Sequence, residues 1–252
     1  MARHEEPRTP DGPRTKSQAP GTSPVSSLDR VASAIVSCER CPRLREYCAR
    51  IARDKKAAHR NDTYWGRPVP GFGDPEARIL VLGLAPAAHG ANRTGRVFTG
   101  DGSGDFLMRA MHANGLASRP TSRHASDGLR LTGAFIAAAV RCAPPGNKPT
   151  RDELEHCFPH LLAELEALGR VRVIVALGRV ASDAYWKLAR AKGVSVTPRP
   201  RFAHGHVFEP AVAGLPMLIE SYHPSRQNTN TGRLTAGMLD DVFRRARQLA
   251  RD

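Results

Sequence analysis

Residues 78–90 read RILVLGLAPAAHG, and this stretch decides the fold. Its first part, 78–84, is a short apolar run with a glycine near its end, at position 83, which is typical of a buried strand. The small residues that follow let a ligand approach the backbone closely. A buried strand with such a loop behind it is typical of the carboxyl edge of a parallel sheet, where α/β proteins bind their ligands.

The same strand signal recurs three times along the chain. The further apolar runs cover 133–140, 171–178 and 217–222. Helical patterns cover 28–36, 103–115, 150–169, 179–192 and 231–250. Thr150 and Glu153 have the spacing of a capping box at the start of one of these helices. Strands that alternate with helices predict an α/β fold with a mostly parallel sheet covered on both faces.

The charge balance indicates the kind of partner. The 252 residues include 38 Lys and Arg against 24 acidic residues, a formal net charge of +14. This excess favours a polyanion such as nucleic acid or an anionic membrane surface, and it argues against a basic partner. No apolar run reaches the roughly 18 residues of a membrane span, and the first residues lack the apolar core of a signal peptide. We therefore expect an intracellular, cytoplasmic protein without a membrane anchor.

Two segments near the start of the chain differ from the rest in composition. Residues 1–27 are rich in Pro, Ser, Thr and Gly and poor in large apolar side chains, so we expect a disordered tail there and one folded domain over 28–252. Residues 43–67 carry eight basic side chains against three acidic ones. They form either a solvated helix face or a stripe that contacts phosphates, and the sequence favours neither.

The five cysteines do not have the spacing of a secreted disulfide framework, which agrees with a reducing compartment. Cys38 and Cys41 form a C-x-x-C pair, and Cys142 and Cys157 form a wider pair far downstream. Four thiolates from two separated segments can bind zinc or hold an iron–sulfur cluster. The alternative is a set of buried structural thiols. We expect the fifth cysteine, Cys48, to be a bystander, although it could replace one of the first pair.

The loops after the strands hold most of the unusual polar residues. Phe98 lies among glycines and polar residues, which fits base stacking as well as a loop anchor. Asp101 and Asp105 lie at the start of a helix, where N-capping is the alternative to a catalytic role. His223 ends the last strand on the expected ligand face. The residues that suit contacts to phosphates and base edges follow it: Gln227, Asn228, Thr229, Asn230 and Arg233.

Three ordered segments together resemble the type-b branch (family 5) of the uracil-DNA glycosylase superfamily. They read GLAPAAHGANRTGRVFTGDGSGDFL (83–107), RCAPPGNKPT (141–150) and YHPSRQNTNTGRLT (222–235). The resemblance runs from about residue 38 to about residue 249. It implies an α/β fold built as a three-layer α/β/α sandwich around a short, mostly parallel four-stranded sheet. It also implies a [4Fe-4S] cluster on Cys38, Cys41, Cys142 and Cys157.

The activity implied by the resemblance is excision of a base from double-stranded DNA. Such an enzyme flips uracil, or another deaminated or etheno-modified base, out of the duplex and hydrolyses its N-glycosidic bond, which starts base excision repair. By the same resemblance Phe98 stacks on the flipped base, Asn147 reads its Watson–Crick edge, and His223 stabilises negative charge at the uracil O2. The backbone of Gly83, Ala85 and Ala87 walls the pocket. The implied DNA contacts are Ser225, Arg226, Gln227, Asn228 and Arg233.

This chain lacks the polar residue that usually orients the attacking water. Many members of the superfamily carry Asp, Asn or Glu in the first segment to orient it, whereas this chain has Leu84 and Ala85. Neither side chain can do acid–base work. We expect Asp105 to position the water, and Asp101 if Asp105 does not.

Two other functions fit parts of the sequence. A zinc-stapled module that binds nucleic acid without catalysis explains the charge and the cysteines, but it leaves the polar motifs after the strands unexplained. A phosphoryl-transfer enzyme fits less well, because neither G-x-x-x-x-G-K-[ST] nor G-x-G-x-x-G follows the first strand. Nothing in the sequence indicates an obligate oligomer, so we expect a monomer.

Overall fold

The computed structural model describes Met1 and residues 26–251. The helices are Ser27–Val36 (α1), Pro42–Asp54 (α2), Ala91–Thr94 (α3), Gly102–Ala113 (α4), Arg151–Leu168 (α5), Arg179–Ala191 (α6), Arg226–Asn230 (α7) and Ala236–Leu249 (α8). The strands are Phe72–Gly73 (β1), Ile79–Gly83 (β2), Ala134–Ala138 (β3), Val173–Leu177 (β4), Val207–Phe208 (β5) and Met217–Ser221 (β6). Residues 2–25 of the expected tail lie outside the described residues.

The sheet is mixed and has the strand order β1-β3-β2-β4-β6-β5. The four strands predicted from the sequence pair in parallel at its centre, with Val81 opposite Ile136 on one side and Val175 on the other. The edge strands β1 and β5 run antiparallel to their neighbours. The expected count of four strands was therefore wrong, because each edge strand has two residues and lies in no apolar run.

Both faces of the sheet are buried under helices. Successive side chains of a strand point to opposite faces. Ile79 and Val81 pack in the core that includes α4 and α8, whereas Leu80 and Leu82 pack in the core that includes α5 and α6. Burial on both faces explains why the central strands are apolar at every position. The result is three layers, with the carboxyl ends of the parallel strands at one edge.

The capping-box prediction is confirmed. The Thr150 N–H donates to Glu153 Oε2 at 2.7 Å, and the Glu153 N–H donates to Thr150 Oγ1 at 3.3 Å. The last helix was expected over 231–250, but it starts only at Ala236, because Thr235 caps it. A short helix, α7, precedes it; its five polar residues carry no apolar period. None of the described helices is long and apolar enough to cross a membrane.

Candidate active site

A cavity of about 370 Å³ opens at the carboxyl edge of the parallel strands. It is lined by Leu84, Ala85, Pro86, Ala87, Ala91, Val97, Phe98, Asp101, Ser103, Ala138, Gly146, Asn147, His223, Ser225 and Gln227. These residues come from the ends of β2, β3 and β6 and the segments that follow them, so three loops distant in sequence meet here. A larger open cavity of about 640 Å³, near Arg170 and Arg172, contains none of the expected site residues.

His223 lies in this cavity with its ring available to a ligand. Its ring centroid is 5.8 Å from that of Phe98, and the two planes are tilted by 31°. Within the described residues, neither ring nitrogen has a hydrogen-bond partner, while the Asn228 side-chain amide fixes the His223 carbonyl at 2.8 Å. Burial lowers the pKa of His223 to about 4. The imidazole is therefore neutral at neutral pH, and its N–H can donate a hydrogen bond.

Phe98 is held by a backbone conformation that few side chains adopt. Its φ is +49°, in the left-handed region that costs non-glycine residues energy. A Cβ at Gly83 would lie 2.7 Å from the Phe98 ring, and a Cβ at Gly104 would collide with the Phe98 carbonyl. The backbone of Gly83 was expected to wall the pocket, but Gly83 is not among the residues that line the cavity and instead packs behind the Phe98 ring.

A buried arginine that the sequence analysis missed stabilises the Phe98 loop. Arg96 donates to Thr99 Oγ1 at 3.0 Å, to Ser122 Oγ at 2.9 Å and to Asp127 Oδ2 at 2.8 Å. Only 7% of each charged side chain of the Arg96–Asp127 pair is exposed. Burial is what separates this arginine from the many others in the chain, and no local pattern reveals it.

Acid should weaken this loop through Asp127. Burial alone raises its pKa, but N–H groups of Leu129 and Arg123 and the Arg96 guanidinium together lower the pKa of Asp127 to about 2. Because the pKa of Asp127 is lower in the folded state than the unfolded value of 3.8, its ionised carboxylate stabilises the folded state at pH values above 3.8. This stabilisation is lost as the pH falls toward 2. We expect Asp127→Asn to remove about 2 kcal/mol of the acid dependence of unfolding free energy. Urea unfolding of both proteins between pH 5 and 2 measures it; parallel curves contradict the ion pair.

Two aspartates were candidates for the water, and the structure places them differently. Asp101 lines the cavity and caps α4, because its Oδ1 accepts the Gly104 N–H at 2.9 Å. Its Oδ2 lies against Gly90, where a Cβ would collide with it. Burial raises the pKa of Asp101, against the N–H groups of Gly104 and Ser103. Asp105 lies outside the lining, and its Oδ1 accepts the Ser122 N–H at 3.4 Å.

The remaining expected contacts lie at or beyond the cavity rim. Asn147 ends the 3₁₀ turn Pro145–Asn147 with a φ of +57° and is exposed at the opening. Ser225 caps α7, and both it and Gln227 line the cavity. The exposed Arg226 approaches the start of α4, where its charge acts on Asp101. Arg233 is outside the cavity, with its guanidinium 4.6 Å from the Tyr222 ring centroid.

The cysteines come together beside α2 and α5. Cys41, Cys48, Cys142 and Cys157 are buried in one cluster, and Cys38 is close enough for its charge to act on two of them. Burial, and then the charge of Cys157, raise the pKa of Cys41 to about 11. Burial therefore disfavours the Cys41 thiolate unless a cation compensates its charge. The four expected donors have the chemistry of a thiolate-bound group and lie near one another, but among the described residues no group of three or more His, Cys, Asp or Glu side chains is arranged to hold a metal ion.

Cys48 is as deeply placed as the four expected donors. Its sulfur accepts the Ala143 N–H at 3.3 Å and hydrogen-bonds with Cys142. These contacts give it a partner on the loop that carries Cys142 and Asn147. The position of Cys48 in the sequence, seven residues after Cys41, does not predict these contacts.

Comparison with known proteins adds to this geometry. The family model of the uracil-DNA glycosylase superfamily matches residues 70–247. A Mycobacterium tuberculosis protein named type-5 uracil-DNA glycosylase is 51% identical over 228 residues, which cover 90% of this chain and 83% of the relative. Its Thermus thermophilus namesake is 50% identical over 225 residues, 88% of this chain and 99% of the relative.

A more distant relative belongs to another type. A protein of Archaeoglobus fulgidus named type-4 uracil-DNA glycosylase is 30% identical over 203 residues, which cover 80% of this chain and 83% of the relative. The region matched by the family model contains all three loops that line the cavity. The chain therefore belongs to the uracil-DNA glycosylase superfamily.

Proposed function

We propose that this protein is a type-5 uracil-DNA glycosylase. It flips uracil out of double-stranded DNA and hydrolyses the N-glycosidic bond, which leaves an abasic site for base excision repair; other deaminated and etheno-modified bases are further substrates. The observation that carries the proposal is the cavity in which Phe98 and His223 lie side by side at the carboxyl edge of the sheet. The domain from residue 28 onward acts in the cell as a monomer.

The base enters a cavity whose volume falls in the range of small-ligand pockets. Phe98 offers a ring face for stacking, and the exposed amide of Asn147 at the rim offers the donor and acceptor that a Watson–Crick edge requires. Extruding a base costs a few kcal/mol and costs least when the base is mispaired. Selection of damaged positions therefore begins before any contact with the cavity.

Catalysis rests on charge developing on the leaving base. As the glycosidic bond breaks, uracil takes up negative charge, and a donor aimed at that charge lowers the barrier. A neutral His223 whose ring N–H has no partner among the described residues is such a donor. Ala85 and Ala87 line the same cavity and add no polar side chain that would compete for the base.

Asp101 is better placed than Asp105 to hold the attacking water. Asp101 caps α4 through Oδ1 and also lines the cavity, where its carboxylate can meet a water molecule. Burial raises the pKa of Asp101, which makes its carboxylate a stronger proton acceptor. Asp105 would have to act from outside the lining.

We assign Cys38, Cys41, Cys142 and Cys157 to a [4Fe-4S] cluster. Support comes from the buried sulfur-rich cluster, and a cationic iron core would compensate the thiolates that burial disfavours. When bound, such a group supplies a cross-link between α2 and the loop that carries Asn147. The ion pair of Arg43 with Glu153 at 2.7 Å joins α2 to α5, the helix that follows this loop.

The assignment predicts a contrast between two cysteine variants. Cys48→Ala should retain the iron content and visible absorption of the purified protein, whereas Cys142→Ala should lose both. The two sulfurs are hydrogen-bonded neighbours, so the variants are matched in site and burial. Iron loss in Cys48→Ala with iron retention in Cys142→Ala would mean that Cys48, and not Cys142, is the cluster ligand.

The proposed function also predicts the effect of removing the stacking ring. Phe98→Ala should weaken base capture by roughly 1–3 kcal/mol, because stacking of one base on an aromatic ring contributes about that much. Phe98→Tyr keeps the ring and is the matched control. Single-turnover uracil release at sub-saturating enzyme measures the effect. Equal rates for Phe98→Ala and wild type would remove Phe98 from the base-binding site.

A further inference from the structure

The basic segment 43–67 separates into two parts with different partners. In the first part, Arg43 pairs with Glu153, Arg45 with Glu39 and Arg53 with Asp54.

The second part, 55–67, has four basic residues and one acid. That acid, Asp62, pairs with Arg93 at 2.8 Å and His59 at 3.3 Å. Among the described residues, no acid pairs with the basic side chains of 55–67, three of which are exposed: Lys56, Arg60 and Arg67.

The segment 55–67 is fixed to the outside of the loop that walls the cavity. The backbone N–H of Trp65 donates to the Arg93 carbonyl at 2.9 Å, and the backbone N–H of Gly66 donates to the Asn92 carbonyl at 3.0 Å. The Tyr64 hydroxyl lies 2.9 Å from His89 Nδ1. The other side of this loop supplies Ala87, Ala91, Val97 and Phe98 to the lining. The exposed cations are therefore separated from the cavity by the thickness of one loop.

Trp65 lies in the same segment, next to Arg67. Its ring covers Gly95, where a Cβ would come within 3.0 Å of it, and the Arg67 guanidinium is 5.7 Å from the ring centroid. The side chain is 37% exposed although its indole N–H is already bonded to the Pro68 carbonyl at 3.0 Å. The ring thus stays at the surface in a fixed position, beside a set of unpaired positive charges.

We propose that Lys56, Arg60, Trp65 and Arg67 form a second DNA-binding surface, which takes backbone phosphates beside the flipped nucleotide. A duplex that delivers a base to the cavity must lie across the rim, so phosphates adjoining the flipped nucleotide pass over the surrounding loops. The surface lies on the outside of the loop after β2. The expected contacts at Arg226 and Arg233 follow β6, so the two sets come from different loops. The inference rests on the proposed function, since it takes DNA as the ligand.

Salt dependence of binding tests the charges. Each phosphate contact adds about 0.9 to the slope of log K against log salt for duplex DNA. Changing Lys56, Arg60 and Arg67 together to Gln should make the slope for a uracil-containing duplex shallower by roughly two to three. The matched control changes to Gln three exposed cations elsewhere that no acid pairs with among the described residues: Arg172, Arg190 and Lys192. An unchanged slope in the first variant, or an equal change in both, overturns the proposal.

Fluorescence tests contact at the same surface directly. The chain has two tryptophans, and the other one, Trp186, is only 3% exposed. Duplex DNA should change the intrinsic fluorescence of the wild type, and Trp65→Phe should abolish that change. A change that persists in Trp65→Phe means that DNA does not cover this surface. Uracil release by the wild type, measured in parallel, keeps a failure of this inference distinct from a failure of the proposed function.

Discussion

His223→Ala should slow single-turnover uracil release by about 10²–10³-fold, the usual effect of removing one donor to a developing oxyanion. The duplex should still bind with a dissociation constant within roughly tenfold of wild type, because phosphate contacts dominate DNA affinity. The loss falls on the chemical step because the imidazole N–H meets full negative charge only when the glycosidic bond is breaking.

The structure offers a control for this histidine. His124 is exposed on a loop and bonds to Ser126, away from the lining, so His124→Ala should release uracil at the wild-type rate. Quench-flow or manual quench with excess enzyme gives the rate, and fluorescence anisotropy of a labelled duplex gives the affinity. A His223→Ala protein that binds weakly but cleaves normally once saturated would contradict the assigned role.

Asp101→Asn should lower the same rate by roughly 10²–10⁴-fold, the range for loss of a general base. Asn is as good an N-cap as Asp, so α4 keeps its first-turn hydrogen bond and the fold is not the cause of the loss. What disappears is the carboxylate's ability to take a proton from water.

Asp105→Asn is the matched comparison, because it removes a carboxylate one turn further along the same helix. Its rate should stay close to wild type, since Asp105 lies outside the cavity. If Asp105→Asn proves the slower of the two, then the water is held from outside the lining, and the assignment to Asp101 is wrong. Thermal unfolding of both variants shows whether either has lost stability.

The sequence predicts the parts of this fold that depend on regular burial. The runs at β2, β3, β4 and β6 are apolar at every position because both faces of the sheet are covered, and such runs stand out from a polar background. The capping box at Thr150 is equally local. By contrast, β1 and β5 exist only because a neighbouring strand offers hydrogen bonds to two residues, and no periodicity can reveal that.

The site was predictable as a meeting of loops, but not in its details. Chain order places the segments after three parallel strands at one edge, which brings Phe98, Asn147 and His223 together. The choice between Asp101 and Asp105 depends on which side of the first turn of α4 faces the cavity. Spacing alone does not determine this at a helix start, where Asp101 is still extended. The sequence does not predict the role of Arg96, because only its burial in the folded structure distinguishes it from the exposed arginines.

The same limit applies to the basic segment. A count of charges over 43–67 cannot tell a paired arginine from an unpaired one, because Glu153, the acid that pairs with Arg43, lies more than a hundred residues away. In the structure, the arginines with acidic partners lie in α2, together with Arg50 over the Tyr47 ring. The segment that follows contains three exposed cations that no acid pairs with among the described residues.

The most direct measurement is single-turnover cleavage of a duplex oligonucleotide with one uracil opposite guanine. The purified protein is used with its iron content verified, and alkali reveals the abasic product. A duplex with thymine opposite adenine at the same position is the control. A uracil-DNA glycosylase should give product from the uracil duplex and none from the control. No product from uracil, hypoxanthine or ethenocytosine duplexes would contradict the glycosylase and leave a protein that binds DNA without cleaving it.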